Sequence, residues 1–371
     1  MTNTPESSRV FNFGAGPAVI PEPVLEEARR DLLTLPGIGM SVLEVSHRSA
    51  TFTEIIETAE ANIRQLSELP DDYHVLFLQG GATQQFAMVP MNLLPKGGTA
   101  DYVVTGSWAK KAAKEAELFG TVGIAASTAD EGFSRVPEPS ELKMSAGTAY
   151  VHITSNNTIF GTQWPEMPDT GGCPLVVDAS SDIFSRPLDL VRDGVGLLYA
   201  GAQKNLGPAG VTLVLVRDEL VRRAEDVDRT VPTMLRYSTY ASSGSLHNTP
   251  PVFAIYMVGL VTKWLLANGG LDAMATRNER KAQKVYAAID RSGFYRGTAQ
   301  SESRSLMNVT IRLPSEELEG RFVSDASAAG FVGLKGHRSV GGLRASIYNA
   351  FPEAGIDAFV DFMDEFSRVN G

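Results

Sequence analysis

Short apolar runs alternate with amphipathic stretches along the first part of the chain. Each run has the length of a buried strand, and several are bounded by glycine or proline. The runs cover residues 74–79, 100–106, 121–126, 149–154, 174–178, 197–200 and 211–216. Strands that alternate with helices form mostly parallel sheets with helices packed on their faces. The pattern therefore predicts an α/β fold with a mostly parallel seven-stranded sheet.

Helical periodicity precedes and follows this region. An amphipathic helix is predicted over 51–69, and a long apolar helix over 252–266 begins after two prolines and stops at an Asn-Gly-Gly sequence. Beyond that stop lies a charged helix over 271–291, then a strand over 307–313, a helix over 316–329, strands around His337 and over 343–348, and a helix over 355–368. The change of pattern predicts a large domain over 11–267 and a small α+β domain over 268–371, against which residues 1–15 can pack.

The composition of the 371 residues is that of a globular protein, with 43% apolar and 20% charged residues. The net charge of −10 argues against nucleic acid and anionic membranes as partners, although a few local arginines can still attract an anionic substrate. The one cysteine, Cys173, cannot form an intrachain disulfide, and the five histidines lack metal-ligand spacing, so no metal is expected. No secretory leader is recognisable, and the longest apolar stretch is shorter than the roughly 20 residues that span a bilayer. We therefore expect a cytoplasmic protein.

A single lysine, Lys204, lies in the Gly- and Pro-rich loop 201–210, directly after the buried run 197–200. Lysine forms Schiff bases with carbonyl compounds, and desolvation can make its amine nucleophilic. An isolated loop lysine is usually only a solvated surface residue. Asp178 changes this interpretation, because it ends the run 174–178 and an acid at the carboxyl end of a parallel strand faces the ligand crevice. A carboxylate there can pair with the protonated pyridine nitrogen of pyridoxal phosphate, so the two residues together predict a cofactor site.

A turn and an aromatic residue extend this candidate site. Residues 79–84, Gln-Gly-Gly-Ala-Thr-Gln, connect a strand to a helix, where small residues expose backbone amides and the helix N-terminus attracts anions. The same turn could equally be a tight connection without a ligand. Trp108 follows the strand over 100–106 and could stack on a planar ring, although such a residue more often belongs to the core. The glycines near Gly14 do not form a dinucleotide-binding fingerprint, because Pro17 breaks the turn.

Two His-Arg pairs lie in short polar segments, His47-Arg48 and His337-Arg338. The arginine side chain presents a planar fork that binds carboxylate or phosphate through two hydrogen bonds. One such pair would be an ordinary surface charge. Two pairs suit a small substrate with several negative charges.

With these residues in place, the sequence resembles the fold-type I pyridoxal-phosphate enzymes and, among the class V aminotransferases, the phosphoserine aminotransferase family. The similarity covers nearly the whole chain from residue 11. It is carried by the segments EVSHRS (44–49), DASSDIFSRP (178–187), GAQKNLGPAG (201–210), HNTPP (247–251) and KGHRSVGGLRASIYNA (335–350). The resemblance implies that Lys204 forms the Schiff base with pyridoxal 5′-phosphate, that Asp178 pairs with the pyridinium nitrogen and that Trp108 stacks on the ring.

The resemblance also implies the remaining contacts and a homodimer with shared active sites. Cofactor contacts within the chain are implied for Ala82, Thr83, Thr158 and Gln203. Asn248 and Thr249 are expected to reach the cofactor phosphate of the partner subunit. His47, Arg48, His337 and Arg338 are expected to bind the carboxylate and phosphate groups of the substrate.

The implied reaction is reversible amino transfer between L-glutamate and 3-phosphohydroxypyruvate, which gives O-phospho-L-serine and 2-oxoglutarate in serine biosynthesis. Use of a second phosphorylated 2-oxo acid in vitamin B6 synthesis stays open. The alternatives are a serine–glyoxylate type aminotransferase, which needs only one anion clamp, a cysteine desulfurase, which needs a cysteine on a mobile loop, and a non-catalytic anion-binding protein, which does not need Lys204. Thr83 and Leu306 stand where some family members carry arginine, so two possible anion contacts are absent.

Overall fold

The computed structural model describes residues 9–225, 227 and 229–371. Its strands are β1 (Phe11–Asn12), β2 (Tyr73–Leu78), β3 (Thr99–Val104), β4 (Thr121–Ser127), β5 (Val151–Thr154), β6 (Asn156–Asn157), β7 (Thr162–Gln163), β8 (Leu175–Asp178), β9 (Val195–Gly201), β10 (Thr212–Arg217), β11 (Arg296–Gly297), β12 (Asn308–Arg312), β13 (Phe331–Val332) and β14 (Leu343–Ser346). Its α-helices are α1 (Glu22–Leu33), α2 (Ala50–Ser67), α3 (Gly81–Leu93), α4 (Ser107–Ala116), α5 (Asp218–Arg223), α6 (Tyr237–Ser242), α7 (Val252–Ala267), α8 (Gly270–Arg291), α9 (Glu316–Ala328) and α10 (Glu353–Asn370).

The central sheet has seven strands in the order β2-β10-β9-β8-β5-β3-β4. Strand β10 runs antiparallel to β2 and β9, and the other neighbouring pairs are parallel. The predicted α/β fold with a mostly parallel seven-stranded sheet is therefore confirmed. All seven apolar runs of the sequence form its strands.

The two faces of the sheet belong to two different apolar clusters. Val75 and Phe77 of β2 pack with residues of α2 and α7, whereas Leu76 and Leu78 pack with residues of α3 and α4. Side chains alternate between the faces of a strand, so a strand that is covered on both sides is apolar throughout. This explains why the sequence shows continuous apolar runs instead of an alternating pattern.

Helices α2 and α7 cover one face together. The Ser49 side chain accepts a hydrogen bond from the backbone N–H of Phe52 (3.3 Å) and so caps α2. Gly259 of α7 lies against Ala59 of α2, and Asn62 donates a hydrogen bond to the Gly259 carbonyl oxygen (3.3 Å). Most residues of α7 are buried, which requires apolar side chains all around the helix.

The apolar character of α7 also bears on membrane insertion. Within the described ranges no single helix is long and apolar enough to cross a membrane. One bent pair, α7 and α8 at 83°, meets that criterion by length and composition. A mostly buried core helix can meet the same criterion of length and composition, and most residues of α7 are buried.

A smaller unit lies beyond α7. Strand β12 pairs antiparallel with β11 and β14, and α8, α9 and α10 contribute to its apolar cluster. The start of the chain joins this unit, because β1 pairs with β13 and Phe13 is buried in the same cluster.

The prediction of a strand around His337 is wrong. The backbone N–H groups of Val340 and Gly341 both donate to the His337 carbonyl oxygen, which closes a turn. Gly341 and Gly342 adopt φ values of +69°. This left-handed conformation favours glycine and interrupts an extended strand, so only an isolated bridge between Lys335 and Leu343 remains.

We expect Phe13→Ala to lower the free energy of unfolding by about 3–5 kcal/mol, because the ring is fully buried and its removal leaves a cavity. The ring centroid of Phe13 lies 4.3 Å from that of Phe351 and 4.7 Å from that of Phe359. Chemical denaturation measures the change. Val10→Ala is the matched control, because Val10 is 55% exposed and its truncation should cost less than about 0.5 kcal/mol. Equal effects of the two changes would contradict this role of Phe13.

Candidate active site

The loops that follow the parallel strands lie at one edge of the central sheet. Asp178 is the last residue of β8, and Lys204 follows the end of β9 by three residues. The loops after β2, β3 and β5 reach the same edge, because these strands run in the same direction. A cleft of about 330 Å³ opens there, and its walls are formed by Ala15, Gly16, Gly81, Ala82, Thr83, Phe86, Trp108, Thr154, Asn156, Thr158, Ile159, Asp178, Ser180, Ser181, Gln203, Lys204, His337 and Arg344. Eight of the thirteen residues singled out from the sequence therefore line one cleft.

The Lys204 amine lies inside this cleft. Its Nζ donates a hydrogen bond to the Thr158 Oγ1 (3.0 Å). Burial lowers the pKa of Lys204 to about 8, against the opposing attraction of the Asp178 carboxylate, and the Arg344 cation lowers it further. At pH 7 roughly a tenth of an amine with this pKa is neutral and nucleophilic, a far larger fraction than at the ordinary lysine pKa of 10.5.

The Asp178 carboxylate lines the same cleft and interacts with the Lys204 amine through its charge. Burial raises the pKa of Asp178, while hydrogen bonding by Ser180 and the Lys204 cation oppose this rise. The Ser180 backbone N–H donates to Asp178 Oδ1 (3.0 Å), and the Ser180 hydroxyl accepts a hydrogen bond from the backbone N–H of Gly201 (3.2 Å). The acid is thus fixed relative to the strand that leads to Lys204.

A helix N-terminus forms another wall. Helix α3 begins after Gly80, and both Gly80 (φ +91°) and Gly81 (φ +68°) have left-handed backbones. The left-handed φ of Gly80 and the Gln84 Cβ, which would lie 2.8 Å from a Cβ at position 80, both favour glycine in this turn. Gly81, Ala82 and Thr83 line the cleft, and the first amides of a helix have no intrahelical acceptor. This end of the cleft suits a phosphate group.

The cleft fits the pyridoxal phosphate expected from the sequence resemblance. The phosphate-binding turn, the Trp108 ring, the Asp178 carboxylate and the Lys204 amine lie around one space. Within the described part of the chain, the buried Thr154 Oγ1, also on the wall, has no hydrogen-bond partner. A polar ring that enters the cleft would give this hydroxyl a partner.

Arg344 was not identified from the sequence, yet it lines the cleft. Its Nη1 donates to the Thr158 carbonyl oxygen (3.3 Å), and its Nε is buried without a partner among the described residues. Burial lowers the pKa of the Arg344 guanidinium. An unpaired, partly desolvated guanidinium beside the Lys204 amine suits a substrate carboxylate.

His337 stands next to Arg344 on the same wall. Its Nδ1 lies 2.7 Å from the Ser339 Oγ and 3.3 Å from the Ser339 backbone nitrogen, so Ser339 fixes the orientation of the ring. Burial lowers the pKa of His337, as do the cations Arg344, Arg338 and Lys111. Arg338 itself is exposed and does not line the cleft.

Four of the predicted contacts lie away from this cleft. His47 and Thr249 approach each other across loops distant in sequence, with His47 Nδ1 and Thr249 Oγ1 3.2 Å apart. Arg48 and Asn248 are exposed beside them. None of the four lines the cleft that contains Lys204 of the same chain.

Buried amides connect the lysine loop to α8. Asn205 Oδ1 accepts a hydrogen bond from the Asn349 backbone N–H (3.1 Å), and the Asn349 side chain donates to the Phe184 carbonyl oxygen (2.8 Å). Asn278 of α8 donates to Asn349 Oδ1 (2.8 Å) and to the Ser185 carbonyl oxygen (2.9 Å). The segment after Asp178 and the residue after Lys204 are therefore held by one residue, Asn349, through its side chain and its backbone N–H respectively.

We expect acylation of Lys204 in the cofactor-free chain to rise with pH with a midpoint near 8, because only the neutral amine reacts. Peptide mass spectrometry after reaction with an amine-specific reagent measures it. Asp178→Asn removes the charge that raises the pKa of Lys204, so its midpoint should lie lower than in the wild type. A wild-type midpoint at the ordinary lysine value of 10.5 would mean that the amine is solvated.

Residues 10–359 match the family model described as Aminotransferase class-V. The phosphoserine aminotransferase of Desulfosudis oleivorans (strain DSM 6200 / JCM 39069 / Hxd3) is 56% identical over 98% of this chain and 100% of that protein. The solved structure of phosphoserine aminotransferase from Bacillus circulans subsp. alkalophilus has a TM-score of 0.95 and 52% identity, covering 98% of this chain and 100% of that one. The structure of PLP-bound phosphoserine aminotransferase from Trichomonas vaginalis has a TM-score of 0.90 and 36% identity, covering 96% and 100%. The chain therefore belongs to the class V aminotransferase family, within which it groups with the phosphoserine aminotransferases.

Proposed function

We propose that this protein is a pyridoxal-phosphate-dependent phosphoserine aminotransferase. It transfers an amino group reversibly between L-glutamate and 3-phosphohydroxypyruvate, giving O-phospho-L-serine and 2-oxoglutarate in serine biosynthesis. The proposal is carried by one cleft in which the buried Lys204 amine and Asp178 carboxylate face His337 and Arg344. The names of the similar proteins support the same reaction.

Each side chain of the cleft has a role in this reaction. Bound pyridoxal phosphate supplies a ring that carries the amino group between substrates and accepts the electron pair released at the substrate Cα. Lys204 holds the cofactor through Nζ and, when displaced, moves the proton at the substrate Cα, a task that a pKa of about 8 suits. Asp178 would hold the proton on the ring nitrogen of the bound cofactor, and Trp108 would pack against its ring. The turn that contains Ala82 and Thr83 binds the phosphate, and Gln203 and Thr158 complete the polar wall.

The places of the cationic side chains indicate where each of the two anionic groups of a substrate binds. Arg344 and the Lys204 amine both contact Thr158, so Arg344 suits the carboxylate on the reacting carbon. His337 also lines the cleft and suits the distal phosphate or carboxylate, and Arg338, exposed and outside the lining, follows it in the chain. Two separate anion contacts match glutamate and phosphoserine better than glyoxylate, which has a single carboxylate.

The cysteine desulfurase alternative is disfavoured by the place of the one cysteine. Cys173 precedes β8, whereas Asp178 ends that strand, so the thiol lies at the opposite end of the strand from the cleft. Its Sγ contacts the Thr148 carbonyl oxygen (3.5 Å), and burial raises the pKa of the thiol. These properties do not suit a nucleophile of the Lys204 site.

A homodimer with shared sites is part of the proposal. The surface formed by His47, Arg48, Asn248 and Thr249 presents polar groups that a second chain can use. The buried His47 Nε2 has no hydrogen-bond partner within the described residues, and Leu43 nearby in sequence is largely exposed. An interface would give both groups partners. The proposal also includes a cytoplasmic location and no nucleic-acid or membrane partner, in line with the net charge of −10.

We expect the purified holoenzyme to form O-phospho-L-serine and 2-oxoglutarate from L-glutamate and 3-phosphohydroxypyruvate. Lys204→Ala should lower kcat by roughly 10³-fold or more, because the group that moves the Cα proton is lost. Chromatographic quantification of both products measures the rate, and Lys114→Ala, at an exposed position of α4, is the control. Near-normal turnover of Lys204→Ala would overturn the role of this lysine.

We expect two inactive variants to restore each other if the sites are shared. One chain carries Lys204→Ala, and the other carries Asn248→Ala together with Thr249→Ala. A mixed dimer contains one site with an intact lysine and an intact neighbouring loop, so up to half of the sites of each mixed dimer should work. Subunit exchange is followed with differently tagged chains. Exchange without any recovery of activity would exclude the shared-site arrangement.

A further inference from the structure

Lys111 occupies a distinctive place on α4. It lies one turn after Trp108, and its Nζ stands 4.4 Å from the centroid of the Trp108 ring. Residues three positions apart share a helix face, and an ammonium over an indole is held by the negative face of the ring. Trp108 lines the cleft, so the Lys111 ammonium lies next to a residue of the cleft wall, although Lys111 itself is not among the lining residues.

The same ammonium lies close to the substrate side of the cleft. The Lys111 cation is near enough to His337 to lower the pKa of that imidazole, after burial, Arg344 and Arg338. No carboxylate contributes to that change. We call Lys111, His337, Arg338 and Arg344 the basic rim; among the described residues the three cations of this rim have no ion-pair partner.

We propose that Lys111 is a substrate-binding residue that contacts the phosphate group of the phosphorylated 2-oxo acid and so sets the preference for phosphorylated over unphosphorylated substrates. The inference rests on the proposed function. Arg344, next to Lys204, is the residue proposed to bind the carboxylate on the reacting carbon. Lys111 lies instead over the Trp108 ring and is available to the other end of the substrate. The Lys111 ammonium can leave the indole ring for a phosphate oxygen because its four-carbon stem is flexible.

The choice of phosphate over carboxylate follows from the charges and shapes of the groups. A phosphate monoester carries close to two negative charges on three oxygens, which can be contacted from several directions at once. A lysine is a compact point charge without the planar fork that favours bidentate carboxylate binding. Neither Thr83 nor Leu306 carries a positive charge. Lys111, on α4, therefore provides a cation that these two positions do not.

The test compares Lys111→Met with Lys110→Met in the holoenzyme. Both lysines are exposed on α4, but only Lys111 stands over the Trp108 ring. The measured quantity is the ratio of kcat/KM for 3-phosphohydroxypyruvate to kcat/KM for hydroxypyruvate, with L-glutamate as amino donor. We expect Lys111→Met to lower this ratio about tenfold, Lys110→Met to change it less than about twofold, and Lys111→Arg to restore most of it.

Binding without turnover gives an independent readout. Calorimetric titration of the holoenzyme with inorganic phosphate should show about tenfold weaker binding for Lys111→Met than for Lys110→Met, because the cofactor already occupies the phosphate turn of α3. An unchanged ratio and unchanged phosphate binding would overturn the assignment, as would an equal loss of kcat/KM for glutamate, which would indicate a general field effect. A wild-type enzyme without preference for the phosphorylated substrate would instead overturn the proposed function.

Discussion

The burial of the Lys204 amine beside the Asp178 carboxylate is the constraint on which the rest of the site depends. Removal from water raises the pKa of Asp178 and lowers the pKa of Lys204, so burial drives both groups toward their neutral forms. Their mutual attraction opposes this, and a small displacement would change the balance. The Ser180 amide on the acid and the Thr158 hydroxyl on the amine therefore act as positional restraints as much as hydrogen bonds.

The stiffness of this arrangement comes from outside the cleft. Asn349 joins the residue after Lys204 to the segment after Asp178, and Asn278 ties both to α8. All of these amides are buried, where an unpaired polar group is costly and a paired one fixes a single arrangement. Two loops that leave neighbouring strands are thereby held in one geometry by a helix of the smaller unit.

Local patterns were sufficient to predict the strands of the central sheet and to place Asp178 and Lys204 at the ends of two of them, because a buried strand and the loop that follows it are contiguous in sequence. Arg344 was missed for the opposite reason. It lies in the ordinary strand sequence Leu-Arg-Ala-Ser of β14, and only the pairing of β14 with β12 brings it to Thr158. The strand predicted around His337 does not form, because Gly341 and Gly342 adopt positive φ angles that fix a turn there.

The positive charges near the cleft contrast with the negative net charge of the whole chain. The chain carries a net charge of −10, yet Lys111, Arg338 and Arg344 cluster at one cleft without carboxylates among the groups that perturb His337. Such a cluster is unfavourable in the empty chain and becomes favourable when an anion enters, so part of the binding free energy is relief of repulsion. The other His-Arg pair, at His47 and Arg48, lies outside the cleft of its own chain, so one chain alone does not bring these two residues to its own cleft. A second chain that places this pair over the basic rim would complete the anion site and at the same time close the cleft to water, which strengthens every charge interaction within it.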